Sequence, residues 1–236
     1  MAKLPVIAYY AKMQSQQLQP EEFDAHIVQG TFRLSFVGMS NAGKSYRSKV
    51  LAKEKDFLWY QVDEEIQKEL GFATMEEISA WIGYPTNTGY KEREAKYLEL
   101  ENHFTREAAM KTGGKNFVFD TTGSVVHLLP ETLQILKENC LVVHLDIGED
   151  SLDKMVERFF AEPKPVAWGD YFTIQAGESE ADALRRCYPK LLHDRLQMYR
   201  SLAHINIPAA DLRDKSADET LALVRAALHA PTLVAA

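Results

Sequence analysis

Phe32-Arg33-Leu34-Ser35-Phe36-Val37-Gly38-Met39-Ser40-Asn41-Ala42-Gly43-Lys44-Ser45-Tyr46 decides the fold of this chain. Its first six residues form a mostly apolar run that reads as a strand. From Gly38 to Ser45 the chain then fits G-x-x-x-x-G-K-[ST] without a mismatch. A strand entering such a loop, with a helix leaving it, is the arrangement that cradles phosphate. The glycines allow a tight turn, backbone N–H groups meet phosphate oxygens, and the helix N-terminus adds the positive end of its dipole. In this reading Gly38, Ser40, Asn41, Ala42, Gly43 and Tyr46 hold a nucleotide. Lys44 spans its β- and γ-phosphates and Ser45 gives its hydroxyl to Mg²⁺. The expected ligands are therefore ATP, or a close relative, and Mg²⁺.

Working outward, strand patterns occupy residues 32–37, 57–62, 117–119, 141–145 and 204–207. Helical patterns occupy residues 44–52, 64–70, 75–82, 91–110, 152–160, 181–201 and 217–228. Strands that alternate with helices imply an α/β fold of three layers, a P-loop NTPase fold with a central five-stranded parallel sheet and helices on both faces. Residues 141–145 are apolar except for His144, as a strand buried on both sides should be. Ser216 or Asp218 is placed to cap the last helix. The expected organisation is an N-terminal extension over residues 1–30, one P-loop domain over 31–230 and a tail over 231–236. Inside the domain, residues 64–111 form a helical region suited to substrate binding. Residues 161–180, with Pro163, Pro165, Gly169 and Gly177, read as a mobile lid or as a long surface loop. Trp168 and Tyr171 in it are candidates to close over a ligand.

Composition narrows the partners. The chain has 236 residues, 46% hydrophobic and 26% charged, enough for a core that needs no disulfide. Its 27 Lys and Arg against 34 Asp and Glu give a net charge of -7, which argues against nucleic acid held through phosphates. No apolar stretch has membrane-spanning length, so no membrane partner is expected. Cys140 and Cys187 stand in no metal spacing and suit a reducing compartment, and His103, His127, His144 and His193 share no ligand spacing. Residues 1–19 contain two lysines and no acid, which reads as a weak organelle-targeting segment or an ordered extension. Cytoplasmic location and a small-molecule substrate are the default expectations.

A P-loop needs a carboxylate near the metal. Asn116-Phe117-Val118-Phe119-Asp120 is a short strand whose end opens onto the ligand crevice, which makes Asp120 the candidate Mg²⁺ carboxylate beside Ser45. Asp120 closing a turn is the structural alternative. Asp63 ends the second strand in the same way, where a carboxylate could take a proton from an attacking hydroxyl. It also precedes a helix and could cap it. Arg158 is a candidate to stack on the nucleotide base, with an ordinary surface residue as its alternative.

At this point the chain resembles the shikimate kinase family, within the nucleoside-monophosphate-kinase-like P-loop fold. The likeness runs through Gln61-Val62-Asp63-Glu64-Glu65-Ile66, Met75-Glu76-Glu77-Ile78 and Tyr90-Lys91-Glu92-Arg93-Glu94. It continues in Leu141-Val142-Val143-His144-Leu145-Asp146, Lys164-Pro165-Val166 and Arg195-Leu196-Gln197-Met198-Tyr199-Arg200. The resemblance implies an ATP-dependent phosphotransferase with an alcohol acceptor. Under it, Asp63 binds and activates the substrate hydroxyl, and Lys91 and Arg195 meet a substrate carboxylate. Glu94 supports that site, Lys164 is the lid cation over the phosphates, and Thr121, Thr122 and Gly123 line the pocket. Lys44, Asp63, Lys164 and Arg195 then form the catalytic set.

Three departures from the family pattern stand out. Gln61 replaces an aspartate, Asp120-Thr121-Thr122-Gly123-Ser124 replaces a glycine run, and Lys91 replaces an arginine and loses its bidentate fork. A carboxylate lost from strand two and gained on strand three is a plausible compensation at one metal. Shikimate is the first compound to try, within the class of small hydroxylated acids and phosphorylated metabolites. Two alternatives stay open: a kinase for another small molecule, such as a sugar acid, nucleoside or amino acid, and a non-catalytic nucleotide-binding regulator.

Overall fold

In the computed structural model, residues 18–111, 113–161 and 165–228 are described. Five parallel strands form one sheet in the order β2-β3-β1-β4-β5. They are β1 (Arg33–Val37), β2 (Leu58–Gln61), β3 (Phe117–Asp120), β4 (Leu141–Asp146) and β5 (Ile205–Pro208). Between and around them run α1 (Pro20–Gln29), α2 (Lys44–Lys55), α3 (Val62–Leu70), α4 (Met75–Ile82), α5 (Tyr90–Met110), α6 (Pro130–Asn139), α7 (Leu152–Ala161), α8 (Glu180–Leu202) and α9 (Ala217–Ala227).

Strand alternation divides the core into two layers. Phe117, Phe119 and Val142 point to one face, where they meet Tyr97, Leu100 and Phe104 of α5, Leu136 of α6, and Leu191, Leu196 and Tyr199 of α8. Leu34, Phe36, Val118, Val143 and Leu145 point to the other, against Phe23 of α1, Leu51 of α2, and Leu221 and Val224 of α9. β1 lies between β3 and β4, so the loop leaving it sits where the strand order changes direction. In open parallel sheets ligands bind at that point, outside the carboxyl ends of the strands.

Several expected boundaries move. β2 stops at Gln61, which becomes the N-cap position of α3. Asp63, expected as the end of the strand and as a cap, instead lies in the first turn of α3, where a negative charge suits the helix dipole. Helices α1 and α6 lie outside the expected helical ranges. Each starts with Pro at its first turn, where the missing N–H costs nothing, and α1 adds a capping box of Gln19 and Glu22. The cap of α9 is Ser216, which accepts from the Glu219 backbone N–H while the Glu219 side chain returns the bond.

The stretch read as lid or loop is anchored along its described part. Trp168, expected as an exposed aromatic, is 1% exposed and packs on Phe159, Phe172 and Tyr188. Its large apolar surface favours the core over solvent. Residues 1–17 and 229–236 lie outside the described residues, and so does Lys164, the expected lid cation. Among the described residues no helix is long and apolar enough to cross a membrane.

Candidate active site

The loop between β1 and α2 has the backbone a phosphate cradle needs. Asn41 and Gly43 have φ of 64° and 97°, and α2 starts at Lys44 immediately afterwards. Lys44 is 8% exposed, and its Nζ donates to the carbonyl oxygens of Gly38 (2.8 Å) and Met39 (2.9 Å). A Cβ added at Gly43 would meet nothing within 4 Å, so the loop is open on that side. A buried ammonium over a nest of N–H groups suits a polyphosphate. Beside the loop lies a cleft of about 510 Å³, walled by Asn41–Arg47 residues, by Asp146, Ile147 and Gly148, and by residues 208–214. Tyr46 is 58% exposed there, with the buried Arg47 guanidinium 4.5 Å from its ring centroid. Arg158 does not line this cleft and is exposed on α7.

At the loop's far end Ser45 Oγ donates to Asp120 Oδ2 at 2.5 Å. Asp120 is 5% exposed, and its Oδ1 accepts from Trp59 Nε1 at 2.6 Å. The sheet register sets this contact, because Asp120 is level with Phe36 of β1 and with Gln61 of β2. Gln61 turns its amide to Glu64 instead. The hydroxyl and carboxylate expected to share Mg²⁺ are thus already together, and the fit to a hard cation with phosphate oxygens is good. Among the described residues no group of three or more His, Cys, Asp or Glu could hold a metal without such help.

The acceptor side is assembled from distant segments. Asp63 on α3 accepts from Tyr97 Oη at 3.3 Å. Burial, then the Asp63 charge, holds the Tyr97 phenol well above its ordinary range. One α-helical step on, Glu101 is fully buried. It accepts hydrogen bonds from the Thr122 hydroxyl and, at 2.5 Å, from Ser124 Oγ. Burial pushes its carboxyl up to about 7 against the opposing pull of those two hydroxyls, with the charges of Asp63 and Arg195 also acting on it. Arg195 on α8 is 5% exposed and donates through Nη2 to Ala167 O at 2.6 Å and through Nε to His127 Nε2 at 2.9 Å. Burial and then the Arg195 charge depress His127 to about 4, so its ring is a neutral acceptor at neutral pH. Glu94, 9% exposed, accepts from Tyr90 Oη (2.6 Å) and from the backbone N–H groups of Trp168 (2.5 Å) and Gly169 (2.9 Å). It ties α5 to the stretch read as lid or loop.

Some expected site residues stand elsewhere. Lys91, expected to turn inward, is exposed. The buried stripe of α5 runs through Tyr90, Glu94, Tyr97, Glu101, Phe104 and Thr105, so Lys91 falls about one residue's turn away from it. Thr121 and Thr122 are each 1% exposed, with their hydroxyls spent on Phe36 O and on Glu101. Gly123 packs tightly against the phosphate loop: a Cβ there would come 3.0 Å from Ser40 Oγ, which would have to shift. Its carbonyl accepts from Tyr199 Oη. Glu101, Tyr97, His127 and Trp59 are site residues that the sequence reading missed. A glutamate at helical spacing from Glu94, on a stripe otherwise aromatic, was the signal for Glu101.

With this geometry in place, comparison with known proteins is informative. The sequence model described as shikimate kinase matches residues 40–225. Among solved structures, shikimate kinase from Acinetobacter baumannii in complex with shikimate is 21% identical. That match covers 86% of this chain and 93% of that one, with a TM-score of 0.55. Shikimate kinase from Bacteroides thetaiotaomicron is 19% identical, covering 84% and 99%, with a TM-score of 0.56. The Aquifex aeolicus enzyme is 21% identical, covering 86% and 100%, with a TM-score of 0.53. A search of curated proteins found no match.

Proposed function

The chain belongs to the shikimate kinase family and is an ATP-dependent small-molecule kinase, and from that premise we propose that its acceptor is shikimate or a closely similar hydroxylated carboxylate. The observation that carries this reading is the meeting of Asp63 and Arg195. The charges of both reach Tyr97 and Glu101, which puts a candidate hydroxyl acceptor and a candidate carboxylate binder around the same two side chains.

Bound Mg·ATP supplies the γ-phosphoryl group and the metal charge that offsets it. Gly38, Ser40, Asn41, Ala42, Gly43 and Tyr46 would hold the nucleotide, and Ser45 and Asp120 would hold Mg²⁺. Lys44 would move from the carbonyls of Gly38 and Met39 to phosphate oxygens, exchanging neutral partners for charged ones. Asp63 would accept the hydrogen of the attacking hydroxyl and orient it for in-line attack. Arg195, braced by Ala167 O and by the neutral His127 ring, would grip the acceptor's carboxylate. Lys164 would be the cation over the phosphates, whereas Arg158 and Lys91, both exposed, would assist only at longer range or after rearrangement.

The test is ATP consumption across shikimate, other hydroxy acids, sugars and nucleosides, repeated with Arg195→Ala. Shikimate or another hydroxy acid should be the best acceptor, with a clear loss in the variant. A neutral sugar or nucleoside as best acceptor, with Arg195→Ala harmless, would overturn the carboxylate assignment.

A further inference from the structure

The glycine run of the resembled family gives way here to Thr121-Thr122-Gly123-Ser124, and a carboxylate stands behind it. Glu101 has no direct ion pair among the described residues, yet it is fully buried. A buried carboxyl without a cation in contact is costly unless its oxygens are satisfied. Here each oxygen has a hydroxyl: Oε1 has Thr122 Oγ1 and Oε2 has Ser124 Oγ. Thr122 Oγ1 also accepts from the Ser124 backbone N–H at 3.0 Å, which closes the turn.

The segment so held touches both halves of the site. It begins at Asp120, bonded to Ser45, and Thr121 binds Phe36 O through its backbone N–H and its hydroxyl. Gly123 approaches Ser40 of the phosphate loop closely, a Cβ there lying 3.0 Å from Ser40 Oγ, and Tyr199 holds its carbonyl. Glu101 itself faces Tyr97 on its own helix, Asp63 on α3, and Arg195 and Tyr199 on α8. One carboxylate therefore anchors a turn that reaches Ser40 of the phosphate loop and is itself under the charges of Asp63 and Arg195.

We propose that Glu101 is a positioning residue: by holding Thr122 and Ser124 it fixes residues 121–124 against Ser40 and so sets the acceptor pocket relative to the phosphates. This role rests on the family reading of the site. It does not require Glu101 to touch the acceptor. The ionised carboxylate accepts charge-assisted bonds from both hydroxyls, whereas protonation turns one oxygen into a donor, so one hydroxyl must turn to accept and both bonds become weaker neutral ones. The turn is thus tightest above the Glu101 pKa of about 7 and loosens below it.

The experiment joins a structural readout to a kinetic one. Amide hydrogen exchange at residues 121–124 is measured on the free protein, together with acceptor kcat/KM and nucleotide Kd. The variants are Glu101→Gln, Thr122→Val and Thr122→Ser. Glu101→Gln and Thr122→Val should speed exchange at Gly123 and Ser124 and lower acceptor kcat/KM by roughly 10- to 100-fold, since small misplacements of reacting groups carry losses of that order. Nucleotide Kd should stay unchanged, Thr122→Ser should keep the parent's exchange rate at Gly123 and Ser124 because it keeps the hydroxyl, and Glu101→Gln should lose the fall in kcat/KM below about pH 7. Unchanged exchange in Glu101→Gln overturns the anchoring, and faster exchange with unchanged kcat/KM overturns the positioning role. If the parent protein turns over no acceptor, the functional reading fails on its own, and the exchange data still decide whether Glu101 holds the turn.

Discussion

On the phosphate side of the crevice, Gly38 to Ser45 are consecutive, and backbone angles with one lysine carry the chemistry. On the acceptor side, Asp63, Glu101, Thr122 and Arg195 come from α3, α5, the turn after β3 and α8. The first region is a local object whose shape follows from glycines at fixed offsets. The second exists only once helices pack, and its electrostatics follow from burial: Glu101 is raised, His127 is lowered, and Arg195 is the cation between them. Local construction makes the phosphate side tolerant of changes elsewhere, whereas the acceptor side depends on several long-range contacts at once.

The sharpest way to break this contrast is on the phosphate side. Lys44→Ala removes the ammonium that the loop presents, and the two bonds it donates to Gly38 O and Met39 O lie within one short loop, so the fold should survive. Loss of one charge-stabilising donor costs about 10²–10³ in kcat. Isothermal titration should show Mg·ATP binding severely weakened or gone, with an unchanged melting temperature. Unaltered nucleotide affinity would remove the phosphate assignment.

Next in size are two changes of roughly 10- to 100-fold each, one per region. Asp120→Asn weakens the partner of Ser45 and Trp59 and should raise the Mg²⁺ requirement far more than Gln61→Ala does, because Gln61 turns to Glu64. A larger effect from Gln61→Ala would return the metal role to β2. Arg195→Ala leaves Ala167 O and His127 without their donor and Glu101 without the cation whose charge reaches it. Its loss should fall on acceptor KM, with nucleotide affinity preserved. Equal losses in both would mean that the two regions are not separable.

The same contrast explains what the sequence disclosed. The parallel sheet and the cradle were legible because period-2 apolar runs and the Gly38–Ser45 motif each span a few residues. Asp120 was legible because a strand end fixes where its side chain goes. Asp63 was picked out as a carboxylate at the end of the second strand, whereas Glu94 and Arg195 entered only through the family resemblance, since nothing local marks them. Glu101 escaped both routes: within a charge-dense helix its burial is decided by which face α5 turns to the sheet. Lys91 was misplaced for the same reason, and Trp168 because a loop rich in Pro and Gly hides a residue that anchors it.

The smallest expected effect separates scaffold from site by pH. His204 Nδ1 accepts from the Val142 backbone N–H at 2.9 Å, a role that only the neutral ring can fill. Burial, then the charge of Lys137, lowers its pKa to about 4. A folded value below the unfolded one of about 6.5 means that the stabilisation is complete above pH 6.5 and is lost as pH falls toward 4. At pH 5 the loss is about 1 kcal/mol after allowance for solvent screening, or a few degrees in melting temperature. His127 obeys the same sign, but its proton would also break the Arg195 Nε bond in the site. Melting curves between pH 5 and 8 should therefore flatten in His204→Gln with acceptor kinetics unaltered, whereas His127→Gln should flatten them and raise acceptor KM. If His204→Gln moves acceptor KM as much as His127→Gln does, the acceptor side is coupled to the β4–β5 edge and is less confined than its contacts imply.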